Sequence, residues 1–181
     1  GEHSHEGVDG YTWPDPINAI VQAREIARAI KRARPQHADE IDRRLGDLVR
    51  DLKDIDRALT EATRSYDGRV IITSHPFFNY LARRYGWKVV SVLLEPDDMP
   101  SDASLVELKA LAGRVKARFL LWEASPPTEV TDRIKREIGL TSVVFEHCAL
   151  VDDERTSRGE DYLKIMKTNV DNVRRAFTGR N

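Results

Sequence analysis

One cysteine, Cys148, stands in 181 residues, so no intrachain disulfide can form and cysteine usage leaves the redox compartment open. No apolar run approaches the roughly 18 residues of a membrane span. No secretory signal pattern is visible either, which is what a mature or trimmed form of an exported protein would show. Excess charge of one sign is also missing. The 29 Lys and Arg against 30 Asp and Glu leave a net charge of -1, which gives no electrostatic reason to expect nucleic acid or an anionic membrane as partner. The chain has no glycine-rich phosphate loop, nucleophile elbow or CxxC pair, no internal repeat and no low-complexity tract.

The length suits one domain with a sizeable core and an appended helical element. Charged residues make up 33%, as long solvated helices would require. A segment rich in Gly, His, Asp and Glu leads to Trp13-Pro14-Asp15-Pro16. A helix is then predicted from about Asp15 to Arg34, with Ile17, Ile20, Ala23, Ala27 and Ile30 on one stripe and Pro35 as its stop. Ile41, Leu45, Leu48, Leu52, Ile55, Leu59 and Ala62 follow in alternating steps of four and three, a heptad seam on a second, long helix ending near Gly68. Such a seam packs against the chain's own first helix or pairs with a second copy.

Beyond Gly68 the period changes. Arg69 to Thr73, Val89 to Leu94, Phe119 to Trp122 and Ser142 to Phe145 read as strands. Helices are predicted at Pro76 to Tyr85, Ser101 to Val115, Pro126 to Ile138 and Glu160 to Phe177, with Ser101 and Ser125 as hydroxyl caps and Pro76 at a helix start. Strands that are nearly continuous apolar runs, alternating with helices, imply an α/β fold. The expectation is a four-stranded parallel sheet flanked by helices and preceded by the first helix and the long one.

Each strand ends in chemistry. The first delivers His75, the second Glu95, the third Glu123 and the fourth Glu146-His147-Cys148. Parallel strands share a carboxyl edge, where open sheets bind ligands, so these side chains should gather on one rim. Imidazoles with carboxylates suit zinc, and with more oxygen manganese. The plainer uses are a hydrogen-bonding histidine at a helix start and a small buried cysteine leaving a strand. Cys148 beside His147 also admits thiol catalysis, and His3-x-His5 admits a terminal metal site.

Asp9-Gly10-Tyr11-Thr12-Trp13-Pro14-Asp15-Pro16-Ile17-Asn18-Ala19 is similar to the Asp-Pro-His-x-Trp-x-x-Pro-x-Asn-Ala segment of the solute-binding proteins of bacterial zinc and manganese ABC importers. Thr73-Ser74-His75 through Phe77, Tyr80 and Tyr85-Gly86 resembles the segment holding that family's third metal ligand. Pro100-Ser101, the strand ending in Glu123, and Asp161-Tyr162 with Met166, Asn169 and Val170 follow the family's order. The resemblance covers nearly the whole chain but only the C-terminal part of such a protein. It implies that residues 1–35 are the remnant of an N-terminal lobe, 36–67 the linking helix and 68–181 the C-terminal α/β lobe.

By the same resemblance the chain is an extracytoplasmic or periplasmic, membrane-associated protein without enzymatic activity. It would capture Zn2+ or Mn2+ and hand it to an ABC transporter permease. The implied metal ligands are His75 and His147, with Glu146 or Tyr11 contributing. Tyr11 stands where the family has its second histidine, and His147 where a final aspartate is common. The alternatives are an interaction module that self-associates as a homodimer through the long helix, and a metal-dependent or thiol enzyme.

Overall fold

Asp15 starts the first helix, as its side chain accepts the N–H of Ile17 at 2.8 Å and of Asn18 at 3.4 Å while Pro16 fills the first helical position. The computed structural model describes residues 10–149 and 151–178, so His3 and His5 lie outside the described residues. Helix α1 (Pro16–Ala33) is followed by a tight turn at Pro35–His37 and the long helix α2 (Ala38–Ala62). The heptad seam of α2 divides in two. Leu52, Ile55, Leu59 and Ala62 are buried, whereas Ile41, Leu45 and Leu48 are only half-buried. α2 packs against α1 and against the last helix, α7 (Tyr162–Thr178).

Strands β1 (Ile71–Thr73), β2 (Val89–Ser91), β3 (Phe119–Trp122) and β4 (Thr141–Val144) form one parallel sheet in the order β2-β1-β3-β4. Successive strand residues face opposite sides, so the apolar runs supply two cores. Ile71, Leu121, Val143 and Phe145 meet Leu59, Phe78, Leu81 and Met166 on one face. Ile72, Leu120 and Trp122 meet Leu105, Leu108, Val130 and Ile134 on the other. The connecting helices are α3 (Asn79–Tyr85), α4 (Asp102–Val115) and α5 (Thr128–Ile138). A short helix not foreseen from the sequence, α6 (Asp153–Ser157), is capped by Asp152.

Two helix starts differ from expectation. Pro76 lies in a turn, because the His75 carbonyl accepts the Phe77 N–H at 2.8 Å and the Thr73 hydroxyl at 3.0 Å, and α3 opens three residues later at Asn79. Pro126 cannot be helical because a residue before proline is held extended, so α5 begins at Thr128 without the expected Ser125 cap. Strand β2 is also shorter than expected, although Val92 and Leu94 still donate to Thr73 and Ser74 beyond its end.

The outer edge of β4 is closed by α7. Asn172 donates to the Val144 carbonyl at 2.9 Å, and Asn169 accepts the Glu146 N–H at 2.8 Å and donates to the Glu146 carbonyl at 2.9 Å.

Helices α1, α2 and α3 are joined by charge. Arg84 Nε lies 2.7 Å from Asp56 Oδ1 and 3.5 Å from Asp15 Oδ1, and the Tyr85 hydroxyl donates to Asp56 at 2.9 Å. Burial pushes the Asp56 carboxyl up, but the hydrogen bonds from Arg84 and Tyr85 outweigh it and hold the carboxyl below its ordinary range. A depressed folded-state value means the contribution is present above the unfolded carboxylate range and is lost as pH falls through the folded value. Thermal melts at descending pH should therefore show the native chain and Asp56→Asn converging in stability in acid. A gap that stays constant would contradict this.

Candidate metal centre

The sheet reverses its winding between β1 and β3, since the chain moves from β1 outward to β2 and then returns to pair β3 on the other side. Ligands bind at such switch points beyond the carboxyl ends of the strands. His75 and Glu123 occupy this place. Their side chains meet with His75 Nδ1 2.7 Å from Glu123 Oε1, out of line for a hydrogen bond. His75 Nε2 lies 3.3 Å from Glu95 Oε1 at the end of β2. The imidazole is thus flanked by two carboxylates from the neighbouring strands. Glu123 is buried and further fixed by a hydrogen bond from the Ser74 hydroxyl, whereas the Glu95 side chain is 66% exposed.

His147 continues β4, its N–H donating to the Glu123 carbonyl at 2.9 Å. Glu123 therefore adjoins both histidines, His75 through its side chain and His147 through its backbone. The His147 carbonyl accepts the Trp13 indole N–H at 2.7 Å, and the Trp13 carbonyl accepts the Tyr162 hydroxyl at 2.7 Å. His147 Nδ1 accepts the Ala149 N–H at 3.0 Å, which places the proton of a neutral ring on Nε2. Coordination by His147 must give up that hydrogen bond or that proton.

Phe77 forms the apolar floor between these groups, with its ring centroid 5.7 Å from His147 and 4.9 Å from Tyr11. Tyr11 also stacks edge-on against Trp13 at 5.6 Å. Tyr11 and His147 thus share one aromatic neighbour two residues from His75.

Glu146 is placed differently. Adjacent residues of an extended segment point to opposite sides, and the Glu146 carboxylate is gripped by Arg155 through contacts of 2.5 and 3.1 Å. Arg155 also holds Glu160 at 2.9 Å. Cys148 has a left-handed backbone at φ 56°, and its thiol is pushed up to about 12, by burial first and by the Glu146 charge second. It stays protonated at neutral pH and is a poor nucleophile.

Among the described residues, no group of three or more His, Cys, Asp or Glu side chains is arranged to hold a metal ion. The donor chemistry nonetheless fits zinc: an imidazole with a buried carboxylate beside one nitrogen has the other nitrogen as a ligand. Glu95 and Glu123 stood outside the ligand set drawn from the resemblance. Their signal was position, each closing a strand that neighbours β1.

The family model described as zinc-uptake complex component A, periplasmic (ZnuA), matches residues 1–176. The chain belongs to the ZnuA family. It is 29% identical over 165 residues, 91% of its length, to the high-affinity zinc uptake system protein ZnuA of Bacillus subtilis. It is 27% identical over 169 residues to the zinc-binding lipoprotein AdcA of Streptococcus pneumoniae. This ZnuA-family chain spans 52% of the first relative and 34% of the second. The Zn(II)-bound ZnuA-like domain of S. pneumoniae AdcA superposes with a TM-score of 0.84 at 25% identity, over 96% of this chain and 65% of that one. The B. subtilis metal-dependent lipoprotein YcdH superposes at 0.82 with 27% identity, over 94% of this chain and 65% of that one.

Proposed function

We propose that this chain forms part of an extracytoplasmic, membrane-associated zinc-binding protein that delivers its ion to an ABC transporter permease. Zinc is cargo here, bound and released without catalysis. The observation that carries the reading is the placement of His75 at the switch point between Glu123 and Glu95. In the proposed site His75 coordinates through Nε2, Glu123 lies 2.7 Å from Nδ1 and would take its proton's hydrogen bond once the ring turns onto the ion, and His147 supplies the second imidazole. Glu95, exposed and already beside Nε2, is the carboxylate best placed to follow the ion. Tyr11 is kept as a neighbour on the Phe77 floor. Glu146 donates only if Arg155 lets go.

Residues 1–35 are proposed to belong to a first lobe, 36–67 to a linking helix and 68–181 to the second lobe. The buried lower half of the α2 seam supports a stiff attachment of that helix to the second lobe. Nitrogen donors favour zinc over manganese. Calorimetric titration of the metal-free chain with each ion tests this. One zinc should bind per chain, more tightly than manganese, and an absence of zinc binding would end the reading.

A further inference from the structure

The chain turns sharply where β4 runs out. Cys148, directly after His147, stands at φ 56°, in the left-handed region that residues other than glycine seldom enter. Such strain persists only where surrounding contacts over-determine the backbone. Here both backbone polar groups of His147 are taken, the N–H by the Glu123 carbonyl and the carbonyl by the Trp13 indole. The Glu123 bond merely continues the pairing of β3 with β4. The Trp13 bond comes from 134 residues away, and nothing in the sheet requires it.

Trp13 is itself delivered to this point by its neighbours. Pro14, Asp15 and Pro16 are buried at the start of α1, and the Thr12 hydroxyl accepts the Gln22 side-chain amide of α1 at 2.6 Å. From the other side the Tyr162 hydroxyl, at the start of α7, donates to the Trp13 carbonyl. The indole is thus held between two helices and aimed at the last peptide before the strained residue. A second bond across the turn, from the Ala149 N–H to His147 Nδ1, depends on the ring and lapses when the ring reorients.

We propose that Trp13 is a positioning residue of the metal centre: its indole N–H holds the turn at His147–Ala149 in the left-handed form that keeps the His147 ring beside Phe77 on the rim of the sheet. The inference rests on the reading of His147 as a zinc donor. Because the hold acts on the backbone, it persists when the imidazole leaves Ala149 for an ion. The start of α1 thereby shapes the site through a residue that donates nothing to the metal.

Amide exchange followed by NMR on the metal-free chain reads the turn directly. Trp13→Phe should speed exchange at Ala149 by about 5-fold, the worth of one hydrogen bond, and weaken zinc binding by a similar factor. Tyr162→Phe, which removes one hydroxyl and keeps the ring packed, should act in the same direction. Cys148→Gly should act in the opposite one, since glycine enters the left-handed region without a Cβ penalty. Added to Trp13→Phe, it should restore both the exchange rate and the affinity, a rescue that loss of packing at Trp13 would not show. Unchanged exchange at Ala149 in Trp13→Phe and Tyr162→Phe overturns the proposal. So do a zinc affinity that stays native while the turn loosens and losses that Cys148→Gly leaves in place. A native chain that binds no zinc ends the reading of function, while the exchange rates still decide whether Trp13 holds the turn.

Discussion

Replacing His75 with alanine is expected to weaken zinc binding by more than roughly 100-fold, beyond what loss of a supporting residue around a metal ligand costs. The alanine removes the imidazole that the sheet delivers to the switch point between two carboxylates. Glu123→Gln should cost less, on the order of 10- to 100-fold, because the amide keeps the shape but loses the charge that steadies the imidazole. Competition against a chelating dye measures both. Equal affinities in the native chain and His75→Ala would place the ion elsewhere. A Glu123→Gln effect as large as that of His75→Ala would make Glu123 a ligand rather than a support.

Leu59→Ala is expected to destabilise the fold by about 2–5 kcal/mol, the range for deleting a fully buried leucine where neighbours cannot collapse into the gap. Leu59 has no exposed surface and joins α2 to Phe78, Leu81 and Met166 in the larger core. For a chain of this length the melting temperature should fall by roughly 4–20 °C. Ile41→Ala, in the first turn of α2 where the half-buried part of the same seam begins, should cost less than about 1 kcal/mol, since little apolar area leaves contact there. If the two substitutions cost the same, the whole seam is covered, and a second copy on α2 becomes the explanation.

Much of the fold could be read from period alone. The switch from heptad steps to short apolar runs at Gly68 separated the helical pair from the sheet, and β3 falls on the four residues expected for it. What escaped depends on contacts between residues distant in the chain. Pro76 looks like a helix start until the His75 carbonyl is seen to be occupied locally. α6 has five residues and no apolar stripe, so no period announces it.

For the site, the gathering of His75 with Glu95 and Glu123 follows from parallel strands and was legible as a rim. The strand order was not. Only β1 lying between β2 and β3 brings those two carboxylates to His75, whereas β4 at the far edge leaves Glu146 to Arg155. Proximity along the sequence made Glu146 and His147 look like joint donors. The pleat of the backbone sends them apart.

Glu123 touches one histidine with its carboxylate and anchors the other with its carbonyl. The tip of β3 is therefore a common pivot, and any tug on that strand displaces both rings in step. Under the proposed function, loading and unloading an ion would follow a single mechanical coordinate set at one point of the sheet instead of two.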